Sequence, residues 1–152
     1  FEGLQKADVT TLRTKGFMDE ISKYKDIKVI KRTGNYLRKD AITETEKLLK
    51  DNVKFDAIFS QSDSMLSGFR TAYEKAGLDS SKVITVGCDY TSEAKEAILK
   101  GTQTASILFP LAGKQSVETA LEIIAKKGIK KHIVIPVELV DKQNVNEVKP
   151  VF

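Results

Sequence analysis

One cysteine and one histidine are too few for most of the sites that such residues build. Cys88 has no partner for an internal disulfide, and His132 alone cannot complete a Cys/His zinc site. Any Ser-His-Asp triad would have to pass through His132, and no cysteine framework marks a small secreted scaffold. No apolar run approaches the ~18 residues of a membrane span. No basic-then-apolar leader opens the chain, so it is expected either to be cytosolic or to have had a leader removed. Excess charge is also scarce: 25 Lys+Arg against 21 Asp+Glu leave a formal net charge of +4. Among the lysines, only Lys126, Lys127, Lys130 and Lys131 form a cluster. No aromatic residues interleave with it, as a nucleic-acid stacking platform requires. Its first pair reads instead as the last turn of a helix that Gly128 ends, and no nucleic-acid partner is expected.

What remains is a chain of 152 residues, 41% apolar and 30% charged, the composition of one globular domain. At this length roughly 70% of the unfolded surface can be buried without a disulfide or a metal. Its apolar residues alternate between two periods. Helical spacing runs through Phe17, Met18, Ile21 and Tyr24 within 12–24, and again through Ala41, Ile42, Thr45, Leu48 and Leu49. It returns through Met65, Leu66, Phe69, Ala72, Tyr73 and Ala76, with Ser62 or Asp63 as the N-cap. A short helix over 92–100 stops at Gly101, and Pro110 opens another over 110–127. Short apolar strands fall between them: Ile27, Val29 and Ile30, then 55–59, 83–87, 103–108 and 133–140. Strands joined by helices predict an α/β fold, a doubly wound parallel sheet covered on both faces. Such a lobe opens on a strand, yet only Phe1 and Glu2 precede Gly3, so the first strand is expected to be largely missing.

In an open α/β sheet, ligands sit beyond the carboxyl ends of the strands. That rule selects Arg13 at the start of the first helix, Tyr36 after 27–32, Ser62 and Asp63 after 55–59, Asp89 after 83–87, and Leu108 at the end of 103–108. Together they offer a neutral polyhydroxylated ligand a guanidinium that donates paired hydrogen bonds, a carboxylate that accepts from adjacent hydroxyls, and a ring for an apolar sugar face. No phosphate cradle, HExxH or GxSxG appears. Paired acids for glycoside hydrolysis would have to be Asp63 and Asp89. Each candidate also has a plainer role: Asp63 as a helix cap, Arg13 at the surface, Tyr36 as a loop aromatic, Asp89 as a turn former.

Several motifs carry a resemblance to a known family: FEG at 1–3, R-x-x-GF at 13–17, FSQSDSMLSGFRTA at 59–72, VGCD at 86–89, KGTQTASILFP at 100–110 and QNVNEV at 143–148. With them the chain resembles the C-terminal lobe of periplasmic sugar-binding proteins of the ribose-binding type, whose fold is shared with the effector domains of Lac-repressor-like regulators. The resemblance implies a ligand-binding lobe over 1–108 and 137–152, with a helix and strand at 109–136 that belong to the other lobe. It implies that Arg13 and Asp89 hold a sugar and that Tyr36 packs on it. Ser62 stands where the family usually has asparagine, and Leu108 where it usually has glutamine, which predicts a ligand with no polar group at that edge.

The implied function is non-catalytic: an extracytoplasmic solute-binding protein, periplasmic or at the cell surface, that captures a sugar or polyol and delivers it to an ABC transporter permease. No cofactor or metal is implied. The glycine-containing step AILKGTQTAS at 97–106 favours this transport branch over the effector domain of a transcription regulator. A hydrolase using Asp63 and Asp89 is the third class. With its N-terminal lobe missing, the chain is expected either to belong to a longer polypeptide or to form a dimer, and to bind sugar weakly or not at all by itself.

Overall fold

The alternation of periods becomes five helices and four strands in a computed structural model, which describes residues 1–152 throughout. In chain order these are α1 (Asp8–Ile21), α2 (Arg38–Lys50), β1 (Ala57–Phe59), α3 (Asp63–Lys75), β2 (Ile84–Asp89), α4 (Ser92–Lys100), β3 (Ala105–Leu108), α5 (Gly113–Ile124) and β4 (Glu138–Asp141). The sheet order is β1-β2-β3-β4. β1 and β2 pair in parallel with Phe59 opposite Val86, and β2 and β3 in parallel with Asp89 opposite Leu108. The molecule is thus an α/β lobe with a parallel-dominated sheet.

Helix ends follow local chemistry. The Ser62 hydroxyl caps α3 by accepting from the Met65 N–H, and the Thr91 hydroxyl caps α4 by accepting from the Ala94 N–H. Two small cores hold the layers together. Ile58, Leu66, Phe69 and Val83 pack with Phe1, Phe55 and Tyr73 around them, and Tyr90, Ile98, Val140 and Val145 pack with Leu108 and Val148.

Three expectations are corrected. β4 runs antiparallel to β3, with Ser106 opposite Val140. A parallel return needs a crossover helix packed on the sheet, and α5 has no buried residue. α5 is also shorter than expected: Pro110 precedes it, Ala112 caps it with φ of 60°, and it ends at Ile124. Lys126 then turns out of the helix with φ of 54°, so the lysine pair lies beyond the last turn.

Finally, Ile27, Val29 and Ile30 form no strand; the segment's single bridge joins Thr33 to Glu2. A strand needs a neighbour along its length, and only the first two residues reach this one. The Phe1 amino group donates to the Phe59 carbonyl at 2.6 Å, and the Glu2 N–H to the Arg32 carbonyl at 2.8 Å, so these two residues lie between β1 and the 27–34 segment. Alongside runs a trough of about 690 Å³ lined by Phe17, Met18, Ile21, Ile27, Ile30 and Phe55 among others. This is why the apolar face of α1 is only half-buried.

Candidate functional site

Two charged side chains from separate elements meet at the carboxyl edge of the parallel strands. Arg13, in the second turn of α1, reaches across to the end of β2, where its Nη2 lies 3.4 Å from the Asp89 carboxylate. Its Nη1 donates to the Gln61 carbonyl just after β1, and its guanidinium carbon stands 4.9 Å over the Phe109 ring beyond β3. Three strand ends therefore fix one arginine. The Arg13 and Asp89 side chains keep 17% and 27% of their surface open, so a ligand can reach both. Burial pushes the Asp89 carboxyl up to about 6; the nearby Asp63 charge adds to this, and Arg13 opposes it. An acid that titrates there is ionised at neutral pH and accepts hydroxyl donors, with a ready transition just below.

Tyr36 joins the group through Gln61. The Thr10 hydroxyl donates to the Tyr36 hydroxyl at 3.0 Å, and that hydroxyl donates to Gln61 Oε1 at 3.4 Å. The ring needs Gly3, because a Cβ there would stand 2.0 Å from the Tyr36 ring. Tyr36 itself takes φ of 61°, a region that holds few non-glycine residues.

Gln61 was not among the residues selected from the sequence. Its Oε1 also accepts from the Gly3 N–H at 3.0 Å, and its Nε2 donates to the Thr14 hydroxyl at 2.8 Å. Being 1% exposed, it is the buried hub that ties α1, the first residues and Tyr36 to the end of β1. The strand-end rule that chose Ser62 and Asp63 applies equally to Gln61. Phe109 was missed in the same way, one residue beyond Leu108.

Of the other three expected residues, Ser62 and Asp63 are turned inward and Leu108 is half-buried. Ser62 is 4% exposed and its hydroxyl is engaged as the α3 cap. Asp63, 2% exposed, is surrounded by donors from Tyr90, Thr91, Gln103 and Ser106. Its burial pushes the carboxyl upward, and those hydrogen bonds pull it back. Gly87 makes this seat possible: a Cβ there would lie 1.9 Å from Asp63 Oδ1. A carboxylate held in this way does not face a substrate beside Asp89, which removes the geometric basis for the paired-acid hydrolase. Leu108, opposite Asp89 across the β2–β3 pair, packs on the cluster of Tyr90, Ile98, Val140 and Val145. Cys88 is buried, and burial pushes its thiol up to about 11, away from reactive thiolate. No group of three or more His, Cys, Asp or Glu is placed to hold a metal ion.

Comparison with known proteins gives a consistent picture. A family model described as a periplasmic binding protein domain matches residues 1–128. The ribose import binding protein of Haemophilus influenzae is 31% identical over 140 residues, covering 91% of this chain and 46% of that protein. A D-apiose import binding protein of Paraburkholderia graminis is 28% identical over 120 residues, covering 76% of this chain and 38% of its own length. Among solved structures, an ABC transporter periplasmic solute binding protein from Actinobacillus succinogenes with bound D-allose superposes with a TM-score of 0.87 at 30% identity, covering 97% of this chain and 53% of that one. The chain spans about half the length, or less, of the curated relatives it matches.

Proposed function

Because this chain belongs to the periplasmic binding protein domain family, we propose that it is one lobe of a solute-binding protein that captures a sugar or sugar-like molecule and delivers it to an ABC transporter. The observation that carries this reading is the open Arg13–Asp89 pair, held by three strand ends at the edge where α/β sheets take their ligands. Arg13 donates to ring or hydroxyl oxygens, Asp89 accepts from hydroxyls, and neither needs a counter-charge on the ligand. The names of the relatives, import binding proteins for ribose and D-apiose, favour this role over a regulator's effector domain. A periplasmic or cell-surface location follows from the same reading.

In this role residues 109–136 belong to a second lobe, and closure of the two about the ligand is the signal that a permease recognises. The exposed face of α5 supports that division, since Val117, Leu121 and Ile124 are 61%, 60% and 76% exposed.

Calorimetry on the complete two-lobed protein with D-ribose, D-apiose, D-allose and myo-inositol tests the proposal. One of them should bind. Hydrogen bonds to charged groups are worth roughly 1.5–3 kcal/mol, so Asp89→Ala should weaken that binding about tenfold to a hundredfold. Unchanged affinity would remove Asp89 from the site, and binding of none of the four would sink the sugar reading.

A further inference from the structure

Asp89 and Tyr90, at the end of β2, both take positive φ, 104° and 59°. Neither is glycine, and L side chains rarely adopt that backbone, so such a turn persists only where its surroundings over-determine it. Here the surroundings converge on Asp63. Its Oδ2 accepts from the Tyr90 N–H at 2.8 Å, the Thr91 N–H at 3.3 Å and the Ser106 hydroxyl at 2.7 Å. Its Oδ1 accepts from Gln103 Nε2 at 2.9 Å. Gln103 turns its amide hydrogens toward Asp63 because its own oxygen accepts from the Arg70 guanidinium. All four neighbours present hydrogens, and only the Ser106 hydroxyl could accept one in return. The far side of the turn is held as well, since the Tyr90 ring is fully buried and its hydroxyl shares its one hydrogen between the Val145 and Val148 carbonyls.

We propose that Asp63 is a positioning residue for the ligand site: it clamps the Asp89–Thr91 turn in its left-handed conformation and so aims the Asp89 carboxylate at Arg13 and the ligand, without touching the ligand itself. The consequence for binding rests on Asp89 being a ligand group, as proposed above; the clamp does not. A carboxylate with no exposed edge at the site and two successive backbone amides in its grasp acts through those amides.

Asp63→Ala and Asp63→Asn, made beside Phe69→Leu, test the clamp. Phe69 belongs to the core cluster with Ile58, Leu66 and Val83, so its lesion reports what destabilisation alone does. Binding of whichever of D-ribose, D-apiose, D-allose and myo-inositol the parent takes should weaken at least about tenfold in Asp63→Ala. Asp63→Asn should recover part of it, because the amide oxygen still accepts from Tyr90 and Thr91. Phe69→Leu should lower the melting temperature and leave affinity within about twofold. Asp63→Ala binding within twofold of the parent, or Phe69→Leu weakening it as much as Asp63→Ala, would overturn the proposal. Where the Asp63 variants do not fold, or the parent binds none of these ligands, the NMR spectrum of Asp89→Asn, which lacks the neighbouring titration, decides. In it the Tyr90 and Thr91 amide protons should shift with the same midpoint as the Asp63 carboxyl carbon in a pH titration. Independent midpoints overturn the clamp, whereas a parent without sugar binding overturns only the functional reading.

Discussion

Lowering the pH through about 6 should weaken ligand binding while Asp89's own contribution to fold stability grows, a contribution isolated by comparing the parent with Asp89→Asn. Burial raises this carboxyl from 3.8 to about 6. Below the ordinary value the group is protonated in both folded and unfolded chains. As pH rises through about 6 it must ionise inside a partly buried site, which water would have solvated better in the unfolded chain. The folded state therefore holds its proton longer, and Asp89's contribution to stability is full below about pH 4 and lost by about pH 6. A shift of this size is worth about 2–3 kcal/mol at most. A neutral sugar that donates hydroxyls to the carboxylate prefers the ionised form. At about pH 5 roughly a tenth of Asp89 is ionised, and at about pH 7.5 nearly all, so affinity should rise about tenfold across that interval. The assay is calorimetry at several pH values paired with a carbon-detected NMR titration of the Asp89 carboxyl. Asp89→Asn should flatten the affinity profile. A carboxyl midpoint near 3.8, or an affinity unchanged between those two pH values, would refute the reasoning.

Gly87→Ala should destabilise the protein by about 1–3 kcal/mol or more, because its Cβ would stand 1.9 Å from Asp63 Oδ1. Thermal melting checks this, and a melting temperature within a degree of the parent would show that the carboxylate seat is loose. The chain alone, at 16.9 kDa, should self-associate through the apolar face of α5, and Leu121→Glu with Ile124→Glu should return it to a monomer in sedimentation. A compact monomer of the unaltered chain at high concentration would dispose of that expectation.

Where sequence reading succeeded, the residues carried their own local cause. α3 and α4 have strict helical spacing and hydroxyl caps at Ser62 and Thr91, all of which can be read without knowing the neighbours. It failed where the outcome depended on a neighbour. Ile27, Val29 and Ile30 have strand composition, yet only Phe1 and Glu2 lie beside the segment and a single bridge forms. α5 has a clear apolar face but nothing to bury it, and it runs over Gly113–Ile124 where 110–127 was expected. The site divides along the same line. That Arg13 and Asp89, the proposed ligand pair, meet at one edge follows from the strand-end rule, which concerns topology alone. Asp63 obeys the same rule, but its donors Gln103 and Ser106 lie 40 and 43 residues away, and no spacing near Asp63 announces them.

The two acids at the strand ends differ in what their neighbours leave free, and that difference organises the site. Asp63 has every partner supplied from within the lobe, and it hardens a turn that the backbone would otherwise avoid. Asp89, one residue before the clamped amides, is held at a loose 3.4 Å from Arg13 and is partly open. At that separation the ion pair is a poor hydrogen bond, so a ligand hydroxyl can take its place at small cost. Arg13 cannot swing away in response, because the Gln61 carbonyl and the Phe109 ring hold its guanidinium from two other strand ends. The lobe thus presents a fixed donor beside a fixed acceptor on one wall only. A ligand on one wall keeps its other face in water, which limits affinity however well the pair is placed, so tight capture requires a second wall to close over it.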